Sequence, residues 1–247
     1  MPICSGTLNA SQAFPLFLTS SPLTINLTTN DDTTALIMDT GTSGGYTISN
    51  IKCCWTQIQV DHSVKQSVRA ALVSGSLYEI AGHTWMTSLA LSASTLSYNW
   101  GLNLGSVLAI GCSEMLSSVN TATGDKAFNS NDTTNLKFYL DGKQLVSYDQ
   151  GTPAIQFSEL QRSLGIMSDS TITSVANLTT YPAGYWWALQ SARKVYDADL
   201  LMSGTKVDQA NLVVEHGGSF AAATTHFQCL YEFALFIDAT GNVSVAK

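Results

Sequence analysis

The residues that could do chemistry are few, and one group has a suggestive spacing. Leu36-Ile37-Met38 runs into Asp39-Thr40-Gly41-Thr42-Ser43-Gly44-Gly45, an aspartate at the end of an apolar run with a glycine two positions on. A carboxylate held in such a turn beside a second carboxylate shares one proton with it and can activate water. No second Asp-Thr-Gly or Asp-Ser-Gly occurs, so the partner would have to come from another copy of the chain. The same run also reads as a polar, glycine-rich connection between strands. His62, His83, His216 and His226 stand at no metal-ligand spacing from one another or from a cysteine. No phosphate-cradling Gly-rich loop ending in Lys-Ser or Lys-Thr is present. The expectation is a protein without catalytic residues, metal or cofactor. Tyr185-Trp186-Trp187, close to Tyr181, reads as core, as a subunit-interface anchor or as a carbohydrate platform.

Composition narrows the frame that must position these groups. The 247 residues are 45% apolar, enough for a substantial core, and only 12% charged, about half the globular average. Ser, Thr, Asn and Gly fill the polar positions, a composition of turns and half-exposed strands. A net charge of −7 provides no basic footprint for nucleic acid. The five cysteines, Cys4, Cys53, Cys54, Cys112 and Cys229, form neither a disulfide framework nor a CxxC pair, which fits a reducing compartment. The first residues lack a signal-peptide pattern, and no stretch reaches the roughly 18 apolar residues of a membrane span.

Period-2 alternation dominates. Leu23, Ile25 and Leu27 share one face of a predicted strand, and Leu136, Phe138 and Leu140 share a face of another. The second runs into Asp141-Gly142, a two-residue hairpin turn, with 143–148 returning. A long late strand is predicted over 227–237, then a turn at 238–242 and a short run through Val243 and Val245. Helical spacing is clearest over 61–72, where Val64, Val68, Ala71 and Leu72 share a face behind Asp61 as N-cap, with Gly75 beyond. A shorter helix is predicted from Ser158 to Gly165, with Gln161 closing a capping box. The polar stretch 120–135 reads as a long loop inside one domain.

The apolar run into Asp39-Thr40-Gly41 resembles the catalytic loop of aspartic peptidases, although Gly44-Gly45 replaces the apolar residues that follow there. A broader resemblance is to the double jelly-roll capsid proteins of icosahedral DNA viruses, the tectivirus, adenovirus and virophage-like lineage. Four stretches carry it: Gly6-Thr7-Leu8 through Phe14-Pro15-Leu16 into SPLTINL; YTISNIKCCWTQIQVD entering the helix; ADLLMSGTKVDQANLVVE; and FQCLYEFALFIDATGNVSV. They match the later part of such a protein. The resemblance implies an all-β jelly-roll β-sandwich, one complete roll plus part of, or a compact, second roll. On that reading 1–60 are closing strands of a first roll or an N-terminal β segment, 61–75 a linking helix and 76–247 the complete roll.

That family implies a non-enzymatic shell subunit of the virion, assembled in the host cell. Its partners would be a homotrimer and neighbouring capsid subunits, with room for an underlying viral membrane, and no nucleic acid or small-molecule substrate. Tyr185, Trp186 and Trp187 are then the candidate interface residues. A carbohydrate-binding or host-attachment β module is the alternative, and a single-motif aspartic peptidase built on Asp39 a third reading.

Overall fold

The computed structural model describes residues 13–28, 45, 47–52, 56–116, 128–164, 180–193 and 203–247. The Asp39-Thr40-Gly41 run, Cys4, Cys53, Cys54 and residues 120–127 lie outside them. The described elements are, in order, α1 His62–Val73, β1 Tyr78–Leu91, β2 Thr95–Leu116, β3 Thr133–Leu140, β4 Lys143–Gln144, α2 Pro153–Leu164, α3 Tyr181–Gly184, β5 Ala188–Ser191, β6 Thr205–His216, β7 Ala223–Ile237 and β8 Val243–Ala246. The protein is mostly antiparallel β with a few short helices, as its composition and alternation predict.

The chain forms two compact units, one of Met1–Leu36, Thr42–Thr84 and Phe233–Lys247, the other of Ile37–Gly41 and Trp85–Glu232. In the first, Asp61 caps α1 by accepting from the backbone N–H of Ser63 at 2.9 Å. Leu72 of that helix is buried with Leu18, Ile80 and Ile237, and Phe14, Phe17, Val68, Tyr78 and Leu235 pack around them. Leu72 thus seats this helix on the unit's core, although Val64 on its predicted face is exposed. β8 pairs with the end of β7, from Ala234 opposite Ala246 to Ile237 opposite Val243. Residues 21–28 differ from expectation: they form no strand, and Leu23, Ile25 and Leu27 are exposed. Alternation makes a strand only where a neighbouring edge completes the backbone ladder, and none does so here among the described residues.

The second unit is organised by β2, whose 22 residues serve two sheets. Its first half pairs with β6, from Thr95 opposite Glu215 to Gly101 opposite Gln209. Its second half pairs with β7, from Val107 opposite Tyr231 to Leu116 opposite Ala223, and on its other side with β5. Between the halves the register against β6 slips twice, between Gly101 and Leu104 and between Leu104 and Val107, each time adding one residue to β2. Asn103 has a positive φ of 48° in the first of these bulges. Paired bulges of this kind turn a strand through a corner.

Ser94 and Glu114 show how far the strand turns, since both bond to His216. A straight strand would hold them roughly 60 Å apart. β2 thus folds back on itself, and the continuous ladder β1-β7-β2-β6-β3-β4, with β5 also on β2, is two four-stranded sheets face to face. Counting the halves of β2 as separate strands, one sheet orders the first, eighth, third and sixth strands of the unit, and the other orders the second, seventh, fourth and fifth. That is the jelly-roll order, two interlocked Greek keys.

The interior follows from alternation. Val207, Ala210, Leu212 and Val214 of β6 are buried, as are Phe227, Cys229 and Tyr231 of β7. The predicted hairpin is present: Asp141 and Gly142 have φ of 48° and 76°, with Leu140 opposite Lys143. Its returning strand is only two residues long. α2 begins at Pro153, five residues before the predicted start at Ser158. Proline at the first helical position is preset for the helix, and Thr152 Oγ1 accepts from the N–H of Ile155 at 3.4 Å.

Candidate functional site

The predicted aromatic cluster is divided by the fold. Trp186 is fully buried, and its indole N–H donates to Gln156 Oε1 at 2.7 Å. Gln156 donates in turn to the backbone oxygen of Gln150 at 2.8 Å, fixing α2 to the connection that precedes it. Trp186 therefore belongs to the core and presents nothing to a second chain. Tyr185 is 50% exposed, and Trp187 is half-buried with its ring 5.4 Å from that of Trp85 on β1. Trp186 thus faces the interior and Tyr185 the outside, while Trp187 is part-covered with its indole N–H buried.

Tyr185 bridges to Phe128, which also bridges to Met115 at the end of β2. The Phe128 ring lies 5.9 Å from His226. Trp85, Phe128 and Tyr185 are all exposed large apolar side chains, and Leu89 and Leu91 extend the exposed row along β1. This is apolar surface on a chain with little charge to interrupt it. Burial lowers the His226 pKa, and its Nε2 has no partner in the structure.

Among the described residues no group of three metal-binding side chains comes together. His62 pairs with Gln66 at 2.9 Å, and His83 is exposed. Cys112 and Cys229 are buried free thiols. Burial, with the nearby Glu114 charge, raises the Cys112 pKa well above its ordinary value, and burial pushes that of Cys229 up to about 12, which makes both poor nucleophiles.

Sequence reasoning missed two buried polar clusters. Under α2, Glu159 accepts from Gln190 at 3.1 Å, from Arg162 at 3.5 Å and from the Tyr148 hydroxyl. At one end of the roll Glu114, with no exposed surface, accepts from Thr225 Oγ1 and Asn131 Nδ2, each at 3.0 Å, and pairs with His216 Nε2 at 3.0 Å. Burial alone would push His216 down, but the hydrogen bond and charge of Glu114, with the backbone oxygens of Ala93 and Ser94, outweigh it and hold the imidazole above its ordinary pKa. A polar residue within an apolar strand was the one signal available, and Glu114 in AIGCSEML carries it.

No protein-family profile and no curated protein sequence matches the chain. Among solved structures it is similar to the PBCV-1 virus capsid, at 12% identity and a TM-score of 0.47, with 74% of this chain and 54% of that one covered. It is similar to PBCV-1 VP54, as fitted into a reconstruction of the virophage Sputnik, at 13% identity and a TM-score of 0.46, covering 76% and 55%. With the mavirus major capsid protein it shares 8% identity over 70% of this chain and 42% of that one, at a TM-score of 0.38. The chain spans about half the length of the PBCV-1 structures and less than half of the mavirus protein.

Proposed function

We propose that the chain is a structural subunit of a virus shell, working by self-assembly into trimeric capsomers and contacts with neighbouring capsid subunits in the virion. The observation that carries this reading is the strand order of the second unit. Eight strand positions in two interlocked Greek keys form a complete jelly roll, an architecture used by viral shells and lectins. Fold does not fix function, so the sequence resemblance to double jelly-roll capsid proteins and the surface supply the rest. With 12% charged residues the chain has little repulsion to overcome at a self-contact. The exposed row of Trp85, Leu89 and Leu91, with Tyr185 and Phe128, is apolar surface suited to burial between subunits. A carbohydrate module resting on paired tryptophans has less support, because Trp186 is sealed in the core.

Light scattering of the purified protein, followed by electron microscopy, tests the reading. The expected result is a trimer that packs into a hexagonal array at high concentration. A strictly monomeric protein across the accessible range would overturn it.

A further inference from the structure

His216 ends β6 where the polar cluster closes one end of the roll. Its Nδ1 lies 2.8 Å from the carbonyl oxygen of Ala93, which can only accept, and its Nε2 lies 3.0 Å from Glu114 Oε1. Both ring nitrogens therefore face acceptors, and only the doubly protonated ring satisfies both. The side chains of His216 and Glu114 are fully covered. A neutral ring would set a lone pair against an acceptor whichever tautomer it took, and would leave the buried carboxylate without its counter-charge.

Two loops are fastened to this pair. Asn131 donates to Glu114 Oε2 at 3.0 Å and to the carbonyl of Ala221 at 2.8 Å, and accepts from the N–H of Ala221 at 2.9 Å. Asp132 accepts from the N–H of Gly217 at its backbone oxygen, 2.7 Å, and from the N–H of Ser219 at its carboxylate, 3.1 Å. Asn131 and Asp132 have φ of 51° and 58°, two consecutive side-chain-bearing residues in the left-handed region. Such a turn is held by its bonds and opens first when they weaken.

We propose that the Glu114–His216 contact is a proton-held latch: while His216 carries both ring protons it clips the 129–133 turn and the 217–221 loop to the end of the roll, and losing one proton as pH rises releases the two together. From β2 the imidazole faces Glu114, with the Cys112 thiol further along that strand. From the 129–133 turn the nearest acid is Asp132, already engaged by Ser219. β7 contributes the neutral Thr225, whose neighbour His226 alternates to the other face, as Glu215 does on β6 itself. The Phe220 ring, 4.9 Å away, covers the imidazole. The folded pKa of His216 is raised, so the latch is fully closed below the unfolded value of about 6.5 and is lost as pH climbs through the folded value. The device lies within one unit and does not depend on assembly.

Hydrogen exchange of the full chain tests it, read as protection factors corrected for intrinsic rates. Between about pH 6 and about pH 9, protection in 129–133 and 217–221 should fall together by about tenfold or more, while α2 in the same unit keeps its protection. In His216→Gln both segments should lose this pH dependence. Flat protection in the unaltered protein, a fall in only one segment, or an equal fall in α2 would overturn the latch. If His216→Gln does not fold, NMR titration of the His216 ring in the unaltered protein decides: a midpoint above about 6.5 supports the latch and one below it overturns it.

Discussion

The ring of Phe227 on β7 lies 5.2 Å from that of Trp100 on the first half of β2, across the interior from one sheet to the other. Phe227 also meets Tyr98 at 6.1 Å and Phe138 of β3 at 6.4 Å, so one side chain joins three aromatics of the opposing sheet. A jelly roll is held by the contact of its two inner faces, and here that contact centres on a single fully buried ring.

Phe227→Ala removes that ring and leaves a cavity that two stiff sheets cannot close. The expected loss is about 3–5 kcal/mol of stability, read as a lower urea midpoint. An unchanged midpoint would show that the sheets do not rely on this contact.

Gly111 sits where β2 runs beside β5. A Cβ there would stand 2.6 Å from the carbonyl oxygen of Ala188 and 2.9 Å from Leu189 Cδ1. Backbone cannot move aside without breaking the ladder from Ala109 to Cys112. Gly111→Ala should therefore destabilise the roll by about 1–3 kcal/mol and loosen β5, seen as faster amide exchange over 188–191.

Trp186 and Tyr185 should give opposite results. Trp186→Phe keeps an aromatic ring but removes the pyrrole half of the indole and leaves Gln156 Oε1 without its donor, so stability should drop by at least about 1–3 kcal/mol with the oligomeric state unchanged. Tyr185→Ala, at an exposed position, should change stability by less than about 0.5 kcal/mol while weakening the proposed trimer in sedimentation. Normal assembly of the Tyr185 variant would remove that residue from the interface.

Local chemistry was readable wherever neighbouring residues sufficed. Asp61 caps its helix, Asp141-Gly142 makes its turn, and the alternation over 227–237 is a strand with Phe227, Cys229 and Tyr231 inward, because each of these depends on a few adjacent positions. The run of Leu23, Ile25 and Leu27 has the same alternation and forms no strand, because pairing requires an edge that lies elsewhere in the chain.

The amino-acid sequence by itself determined an all-β protein, low in charge, with its helix cap, its hairpin turn and its long closing strand. Only the tertiary structure decided that β2 turns a corner and serves both sheets, which of Tyr185, Trp186 and Trp187 faces inward, and that Glu114 meets a histidine 102 residues away. Caps, turns and alternation are set by short-range sterics and hydrogen bonds along the chain. Sheet assignment and buried ion pairs are set by which distant segments share an interior, and a linear pattern does not encode that directly.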